Sequence, residues 1–170
     1  MIAEVNEEWN QAKGFYEEIL VIDPNLEEVK DSLSRVESRI LLEAEMTSII
    51  ARSDAYNDNK VLGQAQALLE TAKSIERIGP KMEGSIQKLD SLIRIALIPV
   101  DVIFESDELT EVTIFKVDQM GTFQQKIVPL RPGIYTARGS RKGFKDETIR
   151  FRVGPNKQNQ RVRIICNKKI

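Results

Sequence analysis

The feature that most constrains this chain is a change of hydrophobic period at Ile98-Pro99, from recurrences of three and four residues to recurrences of two. Apolar residues three and four apart share one helix face, whereas alternating residues share one face of a strand. A chain carrying both patterns in separate halves is confined to α+β architectures in which helices and strands segregate. Charge changes at the same place. Residues 1–97 hold 18 acidic and 11 basic side chains, while residues 98–170 hold 8 and 14. The sequence therefore divides into an acidic helical module, 1–97, and a basic strand module, 98–170. Each is large enough for a small core and too small for a large enzyme domain.

Composition narrows the chemistry further. Histidine is absent, which removes the commonest general base and the commonest metal ligand. With one cysteine, Cys166, neither an intrachain disulfide nor a multi-cysteine zinc site is available. In Arg161-Val162-Arg163-Ile164-Ile165-Cys166 the thiol shares a strand face with Val162 and Ile164, so it reads as a buried small hydrophobe with no assigned role. These features predict a protein that is not an enzyme, with no cofactor and no metal. No run approaches the ~20 apolar residues of a membrane helix, and the first residues lack the basic and apolar regions of a signal peptide. The chain opens inside an acidic amphipathic pattern without a helix-entry cap. We therefore expect a longer protein, with any targeting or anchoring segment upstream.

In the helical half, Trp9 to Pro24 reads WNQAKGFYEEILVIDP, with Ala12, Tyr16 and Ile19 on one face. This segment resembles the second helix of a tetratricopeptide repeat, which implies that it packs on a neighbouring helix and that Pro24 closes the unit. Leu26, Val29, Leu33, Val36, Ile40 and Ala44 predict a long second helix, with Asn25 and Glu28 placed as a capping box. Val61, Ala65, Leu68, Ala72 and Ile75 predict a third helix ending at Gly79-Pro80. Met82, Ile86, Leu89, Ile93 and Ala96 predict a fourth. Short loops between such helices imply an antiparallel bundle or the closing helices of a solenoid.

Adjacent acidic pairs such as Glu7-Glu8, Glu17-Glu18 and Glu27-Glu28 diverge by about 100° on a helix, so they read as solvated faces rather than catalytic carboxylates. The segment Asp54 to Asn59 is rich in oxygen ligands but lacks the glycine and distal glutamate of a calcium loop. Turn and cap chemistry is its expected role.

From Val100 the alternation Val100, Val102, Phe104 begins, followed by the β-branched run Thr110 to Val117. Glycines and prolines then punctuate the chain at the spacing of a small antiparallel β domain. Six strands are expected, near 99–105, 110–118, 122–128, 133–139, 146–153 and 160–166. Within them Leu130-Arg131-Pro132-Gly133-Ile134-Tyr135-Thr136, with Gly143-Phe144 and the closing Phe151-Arg152-Val153-Gly154, is similar to a PEGA-type domain. The namesake tetrapeptide is replaced by Ser106 to Glu111. Pro132 is expected to preset a turn, Gly133 to supply positive φ, and Tyr135 to point inward with its hydroxyl bonded. The resemblance implies a noncatalytic accessory β-sandwich of bacterial envelope proteins. Joined to a tetratricopeptide-like segment, it implies a scaffold or adaptor that binds a protein partner.

The candidate binding residues are basic. Arg150, Arg152, Arg161 and Arg163 alternate with Ile149, Phe151, Val162 and Ile164, so four guanidiniums are expected on the exposed face of two terminal strands, with Arg141, Lys142 and Lys145 on a nearby turn. An acidic protein, an envelope polyanion or glycan, or the chain's own acidic half would suit such a stripe. Nucleic acid is disfavoured, because Phe151 falls on the opposite face and leaves no stacking platform. The acidic helical face around Glu7, Glu8, Glu17 and Glu18 is a second candidate surface. A carbohydrate-binding accessory role is the main alternative, with Trp9, Tyr56 and Tyr135 as stacking candidates. Gly139 to Gly143 lacks the following helix of a phosphate loop.

Overall fold

The computed structural model describes residues 2–155 and 160–170. It is an α+β protein with helices first and antiparallel-rich sheets after them. The chain forms two compact units, Met1–Arg52 with Gly63–Leu92, and Ser53–Leu62 with Ile93–Ile170.

The helices are α1 (Ile2–Val5), α2 (Trp9–Ile22), α3 (Glu27–Ala51), α4 (Asn59–Lys73) and α5 (Pro80–Ala96). In the first unit Ala12 and Tyr16 of α2 pack with Val36 of α3 and Ala3 of α1, and Trp9, Ile19, Val29, Leu33 and Ile40 close around them. The small Ala12 is fully buried. Such a residue lets neighbouring helices approach, while Tyr16 fills the space one turn on. Farther along α3, Leu42, Met46 and Ile49 are buried while Ala44, expected on the apolar face, is exposed, and the helix runs on to Ala51.

Three helix ends differ from expectation for local reasons. At the start of α3 no capping box forms: Leu26 is the N-cap residue without a side-chain bond, and the Asp23 carboxylate instead accepts the Asn25 N–H at 3.0 Å. The end of α4 falls at Lys73, where the Ser74 hydroxyl donates to the Thr71 carbonyl and Arg77 adopts φ 59°. Gly79-Pro80 accordingly belongs to the start of α5, with proline in the first turn, where its missing N–H costs nothing.

That α5 start is capped from a distance. Glu7 follows α1 with φ 54°, and its carboxylate accepts the N–H groups of Lys81 at 2.7 Å and Met82 at 3.1 Å. A carboxylate at a helix N-terminus satisfies orphan donors and meets the positive end of the macrodipole.

In the second unit seven strands are described: β1 (Val100–Glu105), β2 (Glu111–Ile114), β3 (Asp118–Gly121), β4 (Gln125–Leu130), β5 (Gly133–Ser140), β6 (Glu147–Val153) and β7 (Gln160–Arg163). They form a three-stranded sheet, β4-β1-β7, and a four-stranded sheet, β3-β2-β5-β6. The extra strand arises because the β-branched run does not stay extended. Lys116 turns at φ 62°, the Val117 N–H bonds the Ile114 carbonyl, and β3 folds back on β2. A second departure is that β7 lies parallel to β1, so the sheets are not wholly antiparallel.

Both sheets feed one core. Val102 and Phe104 of β1 and Val162 of β7 pack with Val112, Ile114, Ala137 and Val153 from the other sheet. Phe104 meets the edge of Phe151 at 5.6 Å, and Phe151 stacks on Tyr135 at 5.8 Å. Cys166 is buried, and its N–H donates to the hydroxyl of the fully buried Thr110 at 3.1 Å.

Candidate functional site

Alternation along β6 and β7 turns their arginines outward, away from Phe151, Val153 and Val162. The two strands nevertheless belong to different sheets. Arg150 and Arg152 lie on the outer face of the four-stranded sheet, opposite Thr136 and Ile134 of β5. Arg161 and Arg163 lie on the outer face of the three-stranded sheet, opposite Ile103 and Glu105 of β1. The four guanidiniums therefore form two pairs and not one stripe. Each pair also spends one member on a carboxylate. Arg152 bonds Asp54 at 2.5 Å, and Arg161 bonds Glu105 at 2.5 Å. Among the described residues Arg150 and Arg163 have no such acid.

The outer face of the three-stranded sheet has an apolar centre. Ile127 of β4 stands in register with Ile103, which in turn is opposite Arg161. Pro129, two residues along β4, is on the same face, and Ile127 remains 57% exposed. Asp101, Glu105, Arg161 and Arg163 surround these side chains with both signs of charge.

A second arrangement is built on residues 53–62, which belong to the same unit as the strands. A 3-10 turn over Ser53–Ala55 leads into α4, where Asp58 accepts the Lys60 N–H at 2.9 Å. The buried Tyr56 anchors this segment. Asn57 donates to the Ile134 carbonyl at 2.9 Å, and Arg131 donates to the Asn57 carbonyl at 3.1 Å and the Asn59 amide oxygen at 2.6 Å. Lys116 on the β2–β3 turn bonds Asp58 at 3.0 Å, a contact that holds the Asp58 carboxyl below its usual range. Tyr135 donates to the Arg131 carbonyl at 2.8 Å, and burial of the ring pushes its phenol upward. Gly133 sits directly under Asn57, where an added β-carbon would lie 2.6 Å from the amide carbon. Its φ of 156° is positive, as expected, and lies in a region that L side chains rarely adopt, so both the backbone and the closeness of Asn57 require glycine here. Beside this network is an open depression of about 700 Å³, lined by Phe115, Val117, Pro129 and Ile134 among others.

At the β5–β6 connection Arg141 bonds Asp107 at 3.2 Å and covers the Phe144 ring at 4.2 Å. Burial pushes the Asp107 carboxyl up, but bonds from Thr110 and Leu109 and the Arg141 charge outweigh it and hold the carboxyl low. Lys142 and Lys145 are exposed, and no acid pairs with either among the described residues.

The other sequence candidates separate. Glu8, Glu17 and Glu18 are exposed, whereas Glu7 is only 5% exposed and is occupied as the α5 cap, so it does not belong to an acidic surface. Of the aromatic candidates, Tyr56 and Tyr135 are buried and present no ring face. Trp9 donates to Glu43 at 2.7 Å and lies under Arg39. The bonds that Asp54, Asn57 and Arg131 make were not legible in the sequence, since a polar segment read as turn and cap chemistry carries no sign of a partner about 75 to 100 residues away. No group of three or more acidic or cysteine side chains converges to hold a metal among the described residues, and none of their helices is long and apolar enough to cross a membrane. No protein-family model and no curated protein matches the chain.

Proposed function

We propose that this chain is a noncatalytic scaffold or adaptor of a bacterial envelope-associated protein, acting by protein–protein contact. In this reading the strand unit is a PEGA-like β-sandwich and the helical segment is tetratricopeptide-like. Two sheets contributing to one core support the first, and the Ala12 and Tyr16 packing against α3 supports the second.

The observation that carries the proposal is the outer face of the three-stranded sheet. An exposed Ile127, in register with Ile103 and bordered by Arg161 and Arg163, has the make-up of a protein contact: an apolar centre, arginines beside it and a polar rim. The test is a crosslinking pull-down from envelope and cytosolic fractions of the source cell. It compares the wild type with a variant carrying Ile127→Asp, Arg161→Glu and Arg163→Glu. Protein partners held by the wild type and lost from the variant are expected, and an unchanged partner set would defeat this surface. Glycan or nucleic acid recovered in place of protein would overturn the proposal.

A further inference from the structure

Backbone pairing joins two lysine-bearing segments that are far apart in sequence. Phe144 forms a bridge with Lys169, the Lys145 N–H donates to the Lys168 carbonyl at 2.8 Å, and the Ile170 N–H donates to the Gly143 carbonyl at 3.1 Å. Lys142, Lys145, Lys168 and Lys169 are thereby gathered at one corner, and all four are exposed. Two carboxylates on the adjoining loops are already engaged, Asp107 with Arg141 and Asp146 with Arg138. None of the four lysines has an acid partner among the described residues. Ammonium groups on adjacent hydrogen-bonded segments reinforce one another within a Debye length of about 8 Å.

We propose that this corner docks an acidic polypeptide segment that also carries apolar side chains. Lysine is a hydrated point charge on a flexible stem, suited to separately placed anionic groups, whereas arginine's planar fork holds a single carboxylate or phosphate by two bonds, and Arg141 is spent on Asp107. Two exposed apolar residues adjoin the turn, Leu109 at 58% in the Asp107 loop and Ile170 at 88% beside Gly143. They provide contacts that a purely ionic ligand leaves unused. A single-stranded nucleic acid needs aromatic faces, and Arg141 covers the Phe144 ring. An anionic bilayer held by lysines alone is bound reversibly and requires a second anchor, which two isolated apolar side chains do not supply.

This inference rests on reading the chain as a binding module but uses a different surface. The test is fluorescence anisotropy of a labelled 14-residue Asp/Glu peptide bearing two leucines. The wild type is compared with K142Q/K145Q/K168Q/K169Q and with a control of equal charge change, K30Q/K60Q/K88Q/K126Q. The corner variant is expected to bind about tenfold more weakly, since each exposed pair contributes modestly, and the control to bind as the wild type does. Equal weakening in both variants would show net charge alone at work and overturn the proposal. So would stronger binding of the wild type to phosphatidylserine vesicles or to a 14-nucleotide single strand. Measuring the Ile127→Asp, Arg161→Glu, Arg163→Glu variant alongside separates the two surfaces. If the corner variant keeps the peptide while the sheet variant loses its pull-down partners, the corner fails and the adaptor reading stands; the reverse result sinks only the sheet face.

Discussion

The carboxylate of Glu7 occupies the space that a side chain on Gly79 would need: an added β-carbon would lie 2.6 Å from Oε2 and 2.7 Å from Cγ. Gly79 accepts the Glu83 N–H as the residue entering α5, and Glu7 satisfies the next two donors. Glu7→Ala leaves two amides at the helix start unpaired and is expected to cost about 1–3 kcal/mol. Gly79→Ala displaces the carboxylate and is expected to cost a similar amount. Urea unfolding of both single variants and the double variant checks this: because the residues share one interaction, the double variant loses less than the sum of the singles.

The same logic applies to Gly133 and Asn57 in the strand unit. Gly133→Ala should destabilise by about 1–3 kcal/mol, the usual range for overpacking. Asn57→Gly in the Gly133→Ala background should recover part of that loss, although the bond to the Ile134 carbonyl is gone. A thermal melt in which the second change makes matters worse would show that the steric conflict is relieved elsewhere.

Glu4 gives the helical unit a pH dependence. Partial burial works against its ionisation, but hydrogen bonds from Tyr16 at 2.6 Å and Arg35 at 3.1 Å, with the Arg35 charge, hold its carboxyl below the ordinary value of 4.5. A carboxyl lowered on folding adds stability that is fully present above the unfolded pKa and is lost as pH falls through the folded one. Tyr16 is raised from 10.0, chiefly by its bond to Glu4, so its contribution is present below 10.0 and is lost at more alkaline pH. Tyr16→Phe is expected to flatten both limbs. Denaturant midpoints measured from pH 3 to 11 would refute the pairing if the variant kept the wild-type profile.

Thr110 and Cys166 test the strand core. Thr110→Val keeps the shape but removes the acceptor of the Cys166 N–H, leaving a buried donor unpaired at a cost of about 1–3 kcal/mol. The Cys166 thiol, 1% exposed, is expected to react with a thiol reagent only after denaturation. Rapid labelling of the folded wild type would contradict its burial.

Periodicity was legible wherever burial follows from neighbours in the same element. Met82, Ile86, Leu89, Ile93 and Ala96 are all buried along α5, as their spacing requires, and Tyr135 is turned inward with its hydroxyl bonded. The β2–β3 turn was hidden because it uses Lys116, with neither glycine nor asparagine to mark it. The division of the arginines was hidden for another reason. Alternation reveals which face of a strand a side chain takes, but the sheet that a strand joins depends on distant partners. Asp54 to Asn59 likewise read as a polar segment of turn and cap chemistry, since nothing local records that Arg131 and Arg152 will bind it.

The parallel pairing of β7 with β1 bears on when the strand unit is completed during synthesis. β1 is made before β2 through β6, yet its partner on one side is made roughly sixty residues later. Until then β1 presents a row of unpaired amides and carbonyls beside the half-built core. Long-range pairing of this kind slows folding, and an open strand edge invites pairing with other chains. A nascent chain stalled near residue 155 would thus hold nearly all the sequence of its core while exposing the edge that β7 ordinarily covers.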